Sequence, residues 1–335
     1  MAGLVTKIGF ATAGLLWAGA SAAETTLTFN KFIPATHPYQ VHIMDVWAKD
    51  VAAATQGRIK IEFTGSSLAP PPRQFELVSG GGADLAFSFI GYNPDRFPRH
   101  NILSLPMLGP NAKKTTAAFW ALNAKYFAPA DEFKGVRLIT LWANMPGQIF
   151  TAKPVSAIAD YAGIKTRVGD RVLGNTVKAL GGVPVFSPAP QTYEMLSQGV
   201  LTGAALPGTD ILAFKVEKFV PNAVMVPGGI FAGSFYIAMN PKKWESLPEA
   251  DRAAIDRISG AALATRAATV LDELEVKALE TLRAGGAKLT APSEAFMKEA
   301  RARFAEVDAE WAKQATKDGF DAAAALAEFR KLAAQ

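Results

Sequence analysis

The sequence predicts an α/β fold built as two lobes. Apolar stretches of strand length alternate with amphipathic stretches of helical spacing, in the order β-α-β-α-β, as far as Trp142. A second, tighter αβ unit lies between Asp160 and Pro207. With 335 residues the chain has room for two domains and a substantial core.

Thr26 to Phe29 alternates polar and apolar side chains, the pattern of a strand. Pro34 to Pro38 makes a turn, and the helix after it sets Ile43, Val46, Trp47, Val51 and Ala54 towards a core. Ile59, Ile61 and Phe63 alternate with Lys60 and Glu62, which predicts a half-buried strand. Gly80 to Gly82 leads into Ala83 to Phe89, apolar enough to be a central strand. A helix near Lys113 to Tyr126 precedes a buried strand from Val136 to Trp142. The expected sheet is mainly parallel. Trp142 to Met145 then crosses to the second lobe, which opens with Gln148 to Thr151.

In the second lobe, Lys165 to Val168 reads as a short buried strand. Gly169-Asp170 opens a helix with Val172, Leu173, Thr176, Val177 and Leu180 on one face, and Gly181-Gly182 ends it. Pro184 to Phe186 returns as a strand, and Pro190 to Gln198 is helical up to Gly199. Ala223 to Val226 and Phe235 to Met239 are expected to be strands returning to the first lobe. Ser246-Leu247-Pro248-Glu249 has capping-box spacing and is expected to start one long alanine-rich helix ending near Gly285-Gly286. Amphipathic helices near Ser293 to Lys313 and Asp321 to Leu332 follow.

Composition narrows the function. The net charge is +5, dispersed and without a Lys/Arg run, so no nucleic-acid partner is expected. There are no cysteines, which excludes disulfides, thiol catalysis and thiolate metal sites. His37 and His42 are five apart, a spacing that does not place them on one helical face, and His100 is distant. No HExxH, GxSxG or Walker A pattern occurs; after Gly169 to Gly174, Asn175-Thr176 stands where phosphate chemistry needs Lys-Ser/Thr. The glycines at Gly80 to Gly82 precede a strand, whereas a dinucleotide loop follows one. No metal, no cofactor and no catalytic residues are expected, and binding is a stronger reading than catalysis.

Met1 to Ala23 reads as an export signal. Lys7 supplies the basic start, and Ile8 to Trp17 is an apolar run shorter than the ~20 residues a membrane span needs. Small residues at Ala20 to Ala23 suit cleavage near Ala22 or Ala23.

Arg167 is the one strongly directional polar group of the Asp160 to Pro207 unit. At a strand end beside a helix N-terminus, its fork suits a carboxylate or phosphate. On residue type alone it serves equally as half of a structural ion pair.

Several ordered words then carry a resemblance: GRIKIEFTGSSLAPPPRQFELVSGGGADLAF, KPVSAIADYAGIKTRV, VLGNTVKALGGVPV, PQTYEMLSQGVLTGAA and MNPKKWESLPEADRAAI. From about Thr26 to the C-terminal helices the chain resembles the periplasmic solute-binding subunits of tripartite ATP-independent periplasmic (TRAP) transporters, the DctP-type family. The resemblance implies the two-lobed periplasmic-binding-protein fold, with hinge strands and a long helix packed along both lobes. It implies residues 24–144 plus about 233–272 as one lobe, and 145–232 plus about 273–335 as the other with the C-terminal helices. It further implies a periplasmic protein that takes a small carboxylate and works with integral-membrane transporter subunits.

In that family the arginine of the K-x-R-V strand bonds the ligand carboxylate, and here that position is Arg167. A second arginine, found in many members, aligns with Gly147, and the aspartate of a D-G pair is Thr202. Three polar pocket positions align with Phe32, Phe89 and Leu206. Trp142, Met145, Phe231 and Phe235 stand in segments that can add to an apolar wall, and Ser88, Asn144, Gly169 and Pro207 flank the same positions. These thirteen residues are the candidate substrate-binding set. With one arginine and greasy walls, the expected ligand is a monocarboxylate with an apolar or aromatic body, such as a 2-oxo, 2-hydroxy or aromatic acid. Burying ~100 Å² of phenyl surface at about 25 cal/mol/Å² contributes roughly 2–3 kcal/mol, comparable to one lost polar contact. The alternatives are a ligand-binding partner of a sensor system and a secreted enzyme on a similar scaffold.

Overall fold

The computed structural model describes residues 24–316 and 319–335. The export signal expected at residues 1–23 lies outside the described residues. Along the chain run β1 (Thr25–Asn30), α1 (Asp45–Ala54), β2 (Ile59–Phe63), α2 (Gln74–Ser79), β3 (Leu85–Phe89), α3 (Ala112–Leu122) and β4 (Arg137–Ala143). Then come β5 (Gln148–Thr151), β6 (Lys165–Val168), α4 (Arg171–Ala179), β7 (Val183–Phe186), α5 (Thr192–Ser197), β8 (Gly203–Leu206), α6 (Gly208–Ala213) and β9 (Asn222–Val224). β10 (Ser234–Met239), α7 (Pro241–Ser246), α8 (Glu249–Arg257), α9 (Gly260–Ala284), β11 (Lys288–Thr290), α10 (Glu294–Ala315) and α11 (Ala322–Ala333) complete it.

The first lobe is organised on a sheet of order β2-β1-β3-β10-β4. β1 pairs parallel with β2 and β3, and β10 runs antiparallel between β3 and β4. Four strands therefore share one direction, and only the strand contributed from late in the chain opposes them. β3 is buried along its whole length, apolar but for Ser88. Phe235 of β10 lies opposite Phe89 on one side and Trp142 on the other.

The second sheet has the order β11-β9-β5-β8-β6-β7. Here the expectation for Ala223 to Val226 fails. β9 stays in the second sheet, pairing with β5 and β11. The Asn222 amide holds it there, donating to the carbonyls of Thr151 at 3.2 Å and Ala152 at 3.1 Å.

The chain crosses between the sheets after β4 and again before β10, and the two crossings are joined to each other. Gly147 N–H donates to Phe231 O at 2.8 Å, and Ile230 N–H donates to Gly147 O at 2.9 Å. Asn144 N–H reaches Gly233 O at 3.2 Å.

The single long helix expected from Ser246 is two helices, α8 and α9, and α7 ends where it was to begin. The Ser246 hydroxyl bonds back to Lys243 O at 2.7 Å, so it closes α7 and caps nothing. Pro248 opens α8, and a second break precedes Gly260, whose φ of +59° is a backbone state that side-chain-bearing residues avoid. The 25 residues of α9 then pack on α3 and β4 of the first lobe and on α6 of the second. α10 also spans the lobes. Phe296, Met297, Ala300 and Phe304 sit in the second-lobe core, while Val307 and Trp311 join the core built around Phe119, Leu141 and Tyr236. No helix among the described residues is long and apolar enough to cross a membrane.

Candidate functional site

β6 ends at Val168, Gly169 makes the turn, and Asp170 caps α4 by accepting from Leu173 N–H at 2.8 Å. This puts Arg167 at the carboxyl end of a parallel strand, where open α/β sheets place their ligands. The guanidinium is 4% exposed, and its Nε donates to Ser187 O at 2.9 Å. That bond fixes the back of the fork. Among the described residues no carboxylate oxygen lies within 4.0 Å of its nitrogens. A Cβ on Gly169 would stand 3.2 Å from Nη2, so the missing side chain is what leaves the fork room. Burial lowers the Arg167 pKa from its ordinary value, and Tyr92, Asp210 and Asp170 oppose that effect.

Arg167 faces a cavity of about 40 Å³ between the lobes, against roughly 10–15 Å³ for one water. The cleft is nearly closed in this arrangement. Phe32, Phe89, Phe231, Phe235 and Phe214 form much of its wall. Phe89 and Phe235 meet at 5.2 Å between ring centroids, and Phe87 and Trp142 stack behind Phe235 at 5.2 and 6.2 Å. Tyr92 completes the Arg167 end: its oxygen accepts from Ala189 N–H at 3.0 Å, and its hydroxyl is hydrogen-bonded to the Arg167 side chain.

A second polar group lines the same cavity: His37, Tyr39, Asn144 and Asp210. The Tyr39 hydroxyl lies 2.8 Å from Asn144 Oδ1 and 3.4 Å from Asp210 Oδ2. Burial lowers the His37 pKa to about 3, so the ring is neutral at ordinary pH. Its Nδ1 accepts from Tyr39 N–H at 3.3 Å, which leaves the hydrogen on Nε2. Nε2 stands 3.7 Å from Asp210 Oδ1, too far for a hydrogen bond, and a neutral ring makes no ion pair there. Burial raises the Asp210 carboxyl to about 7, helped by the nearby Glu275 charge and opposed by Tyr39 and Arg167. Asp170 is raised to about 6, again by burial, against its bonds from Leu173 and Ser104.

Nine of the thirteen residues expected from the sequence line this cavity: Phe32, Phe89, Asn144, Arg167, Gly169, Leu206, Pro207, Phe231 and Phe235. Four do not. Ser88 precedes Phe89 on a strand and so faces the other side of the sheet. Trp142 lies behind Phe235, and Met145 is sunk in the first-lobe core. Gly147 sits in the crossing segment under Phe231, where a Cβ would come 2.0 Å from the ring. The phenyl ring thus occupies the space in which a side chain at 147 would begin. His37, Tyr39, Tyr92, Asp210 and Phe214 line the site and were not anticipated. The Tyr39 contacts span 105 and 171 residues, so no local motif could announce them.

Comparison with known proteins agrees with this fold. A solved TRAP periplasmic solute-binding protein of Bordetella bronchiseptica, with bound (R)- and (S)-mandelate, is 32% identical. It superposes with a TM-score of 0.88 over 92% of this chain and 98% of that one. A TRAP solute-binding protein of Rhodoferax ferrireducens with copurified benzoate is 27% identical, with a TM-score of 0.86 over 92% and 97%. A Comamonas testosteroni protein named outer membrane transporter protein TsaT is 30% identical over 93% of each chain. Residues 29–314 match the model of one family over most of the chain's length, and by that match this chain belongs to the bacterial extracellular solute-binding proteins, family 7.

Proposed function

We propose that this protein captures a small aromatic or otherwise apolar monocarboxylate in the cleft and delivers it to the integral-membrane subunits of a TRAP-type transporter. The observation that carries the ligand class is Arg167: a buried guanidinium without a carboxylate partner among the described residues, in a cavity walled mainly by aromatic rings. A carboxylate entering there supplies the missing charge. A hydrogen bond to a charged group contributes about 1.5–3 kcal/mol, and a bidentate pair also sets the ligand's orientation. The rings take the apolar body. The mandelate and benzoate held by the two related structures are acids of this kind.

The substrate-binding set we propose is Arg167 with Phe32, Phe89, Asn144, Gly169, Leu206, Pro207, Phe231 and Phe235, joined by Tyr92. Contacts from both lobes make binding favour the closed state. The lobes we propose are residues 24–144 with about 233–272, and 145–232 with about 273–335, the latter including the C-terminal helices α10 and α11, which reach across to the first-lobe core. The protein acts in the periplasm after loss of residues 1–23, and it returns its ligand unchanged rather than converting it.

Titration calorimetry with benzoate, mandelate, succinate and sialic acid tests this reading. Saturable binding of the aromatic acids, with weak or no binding of the other two, is the expected result. Preference for succinate or sialic acid would overturn it. Mass analysis of the ligand after prolonged incubation tests the absence of turnover.

A further inference from the structure

The Arg167 end of the cavity accounts for a carboxylate. It does not account for Asp210. This residue is 4% exposed and lines the same cavity from α6, yet its Oδ1 has no hydrogen-bond donor among the described residues. A buried oxygen left so is costly unless something donates to it.

The neighbouring donors are already committed or too far away. Tyr39 has a single hydroxyl hydrogen, and its shorter contact is to Asn144 Oδ1 at 2.8 Å. Its contact with Asp210, at 3.4 Å, goes to Oδ2 and not to Oδ1. The Nε2 hydrogen of His37 points towards Oδ1 across 3.7 Å, beyond hydrogen-bond range. Glu275, behind α6, is an acceptor and spends both oxygens on Gly208 and Thr209. The arrangement holds in either protonation state. With a proton on Oδ2, beside Tyr39, Oδ1 is a carbonyl oxygen and accepts; ionised, both oxygens accept.

We propose that Asp210 Oδ1 receives a hydrogen bond from the ligand, so that the preferred acid carries a hydroxyl donor in addition to its carboxylate. This rests on the reading of the cleft as an acid-binding site. The two ends then divide the work. Arg167 and Tyr92 take the carboxylate, the phenylalanines take the ring, and Asp210, framed by His37 and Tyr39, distinguishes a hydroxy acid from its deoxy or oxo counterpart. A site built to bond a hydroxyl rejects the analogue lacking it more strongly than an apolar pocket can, because the protein's own polar atom is left unpaired.

Calorimetry on the full-length mature protein with matched pairs tests the proposal: mandelate against phenylacetate and benzoylformate, and 3-hydroxybenzoate against benzoate. The expected result is at least one hydroxy acid binding tenfold or more tightly than its partner, with that ratio collapsing to about threefold or less in Asp210→Ala. Equal binding within every pair in the wild type overturns the proposal and means that water serves Oδ1, while the acid-site reading stands. Retention of the ratio in Asp210→Ala also overturns it. Should Asp210→Ala fail to fold, the wild-type ratios alone decide. If no aromatic acid binds at all, the acid-site reading falls and takes this proposal with it.

Discussion

Asp272 and Glu275 stand one helical turn apart on α9, and each caps a helix of a different lobe. Asp272 accepts from the N–H groups of Ala112 and Lys113 at 2.7 and 3.0 Å, at the start of α3. Glu275 accepts from Gly208 and Thr209 N–H, both at 2.8 Å, and from the Thr209 hydroxyl at 2.7 Å, at the start of α6. Residues three apart share a helix face, so one short stretch of α9 clamps both lobes. Truncating Glu275 to alanine leaves two buried N–H groups and a hydroxyl without an acceptor. We expect a loss of about 1–3 kcal/mol of stability, read as a lower urea midpoint with an unchanged slope. An unchanged midpoint would show that the cap carries no weight.

The role we propose for Arg167 trades stability for binding. A buried guanidinium without a paired carboxylate is only partly compensated by Ser187, Tyr92 and the more distant Asp170 and Asp210, and a well-packed apolar residue in place of a buried charge is often neutral or stabilising. Arg167→Met is therefore expected to keep or raise the melting temperature of the ligand-free protein. The same change removes the anchor of the acid, and losing one partner of a buried charge pair costs about 2–5 kcal/mol, a drop in affinity of thirtyfold or more. Melting and calorimetry on one preparation check both. A lower melting temperature with intact affinity would assign Arg167 to structure.

The 2.0 Å approach of a Cβ at Gly147 to the Phe231 ring predicts coupling between these positions. Gly147→Ala alone should destabilise by roughly 1–3 kcal/mol through overpacking. With Phe231→Ala already in place it should cost much less, a non-additivity that a double-mutant cycle measures. Gly147→Arg combined with Phe231→Ala puts a second guanidinium beside the cavity. It is expected to shift preference from benzoate towards succinate, and a competition assay would reveal no shift if the two positions do not share that space.

Burial works on the titrating groups of the site in opposite directions. Asp210 is raised to about 7 from 3.8, so the folded protein holds its proton over a range where the unfolded chain has lost it. Its contribution to stability is complete below about pH 4 and is lost as pH rises to about 7. Asp170 behaves alike up to about pH 6. His37, lowered to about 3, does the reverse: stability falls as pH drops from about 6.5 towards 3. Replacing Asp210 by asparagine removes one opposing slope. Relative to wild type, this variant should gain more stability at pH 8 than at pH 4.5, measured by urea unfolding at both. Equal gains would mean that the carboxyl titrates normally.

Arg167 was legible in the sequence because its setting is local. A strand of four residues, a glycine turn and an aspartate cap follow one another within about seven positions, and each leaves a composition signature. The apolar walls were legible through what replaced the family's polar residues. Asp210, Tyr39 and His37 were not, because the two remote segments that carry them meet only when the lobes do. Trp142 and Met145 misled because their segment does run past the cleft, but Phe235 stands between Trp142 and the cavity and Met145 packs into the first-lobe core. The break before Gly260 was hidden because alanine-rich sequence continues on both sides of it.

The bonds between the two crossing segments at Gly147, Ile230 and Phe231 limit how the jaws can travel. Two peptide ribbons laced side by side bend together far more readily than they twist past one another. The opening we propose is thereby confined to a swing about one line, so that each closure would bring Arg167 on one jaw back to the same rings on the other. The discrimination proposed for Asp210, a single oxygen meeting a single hydrogen, needs that repeatability, and the lacing would supply it without any contact to the ligand.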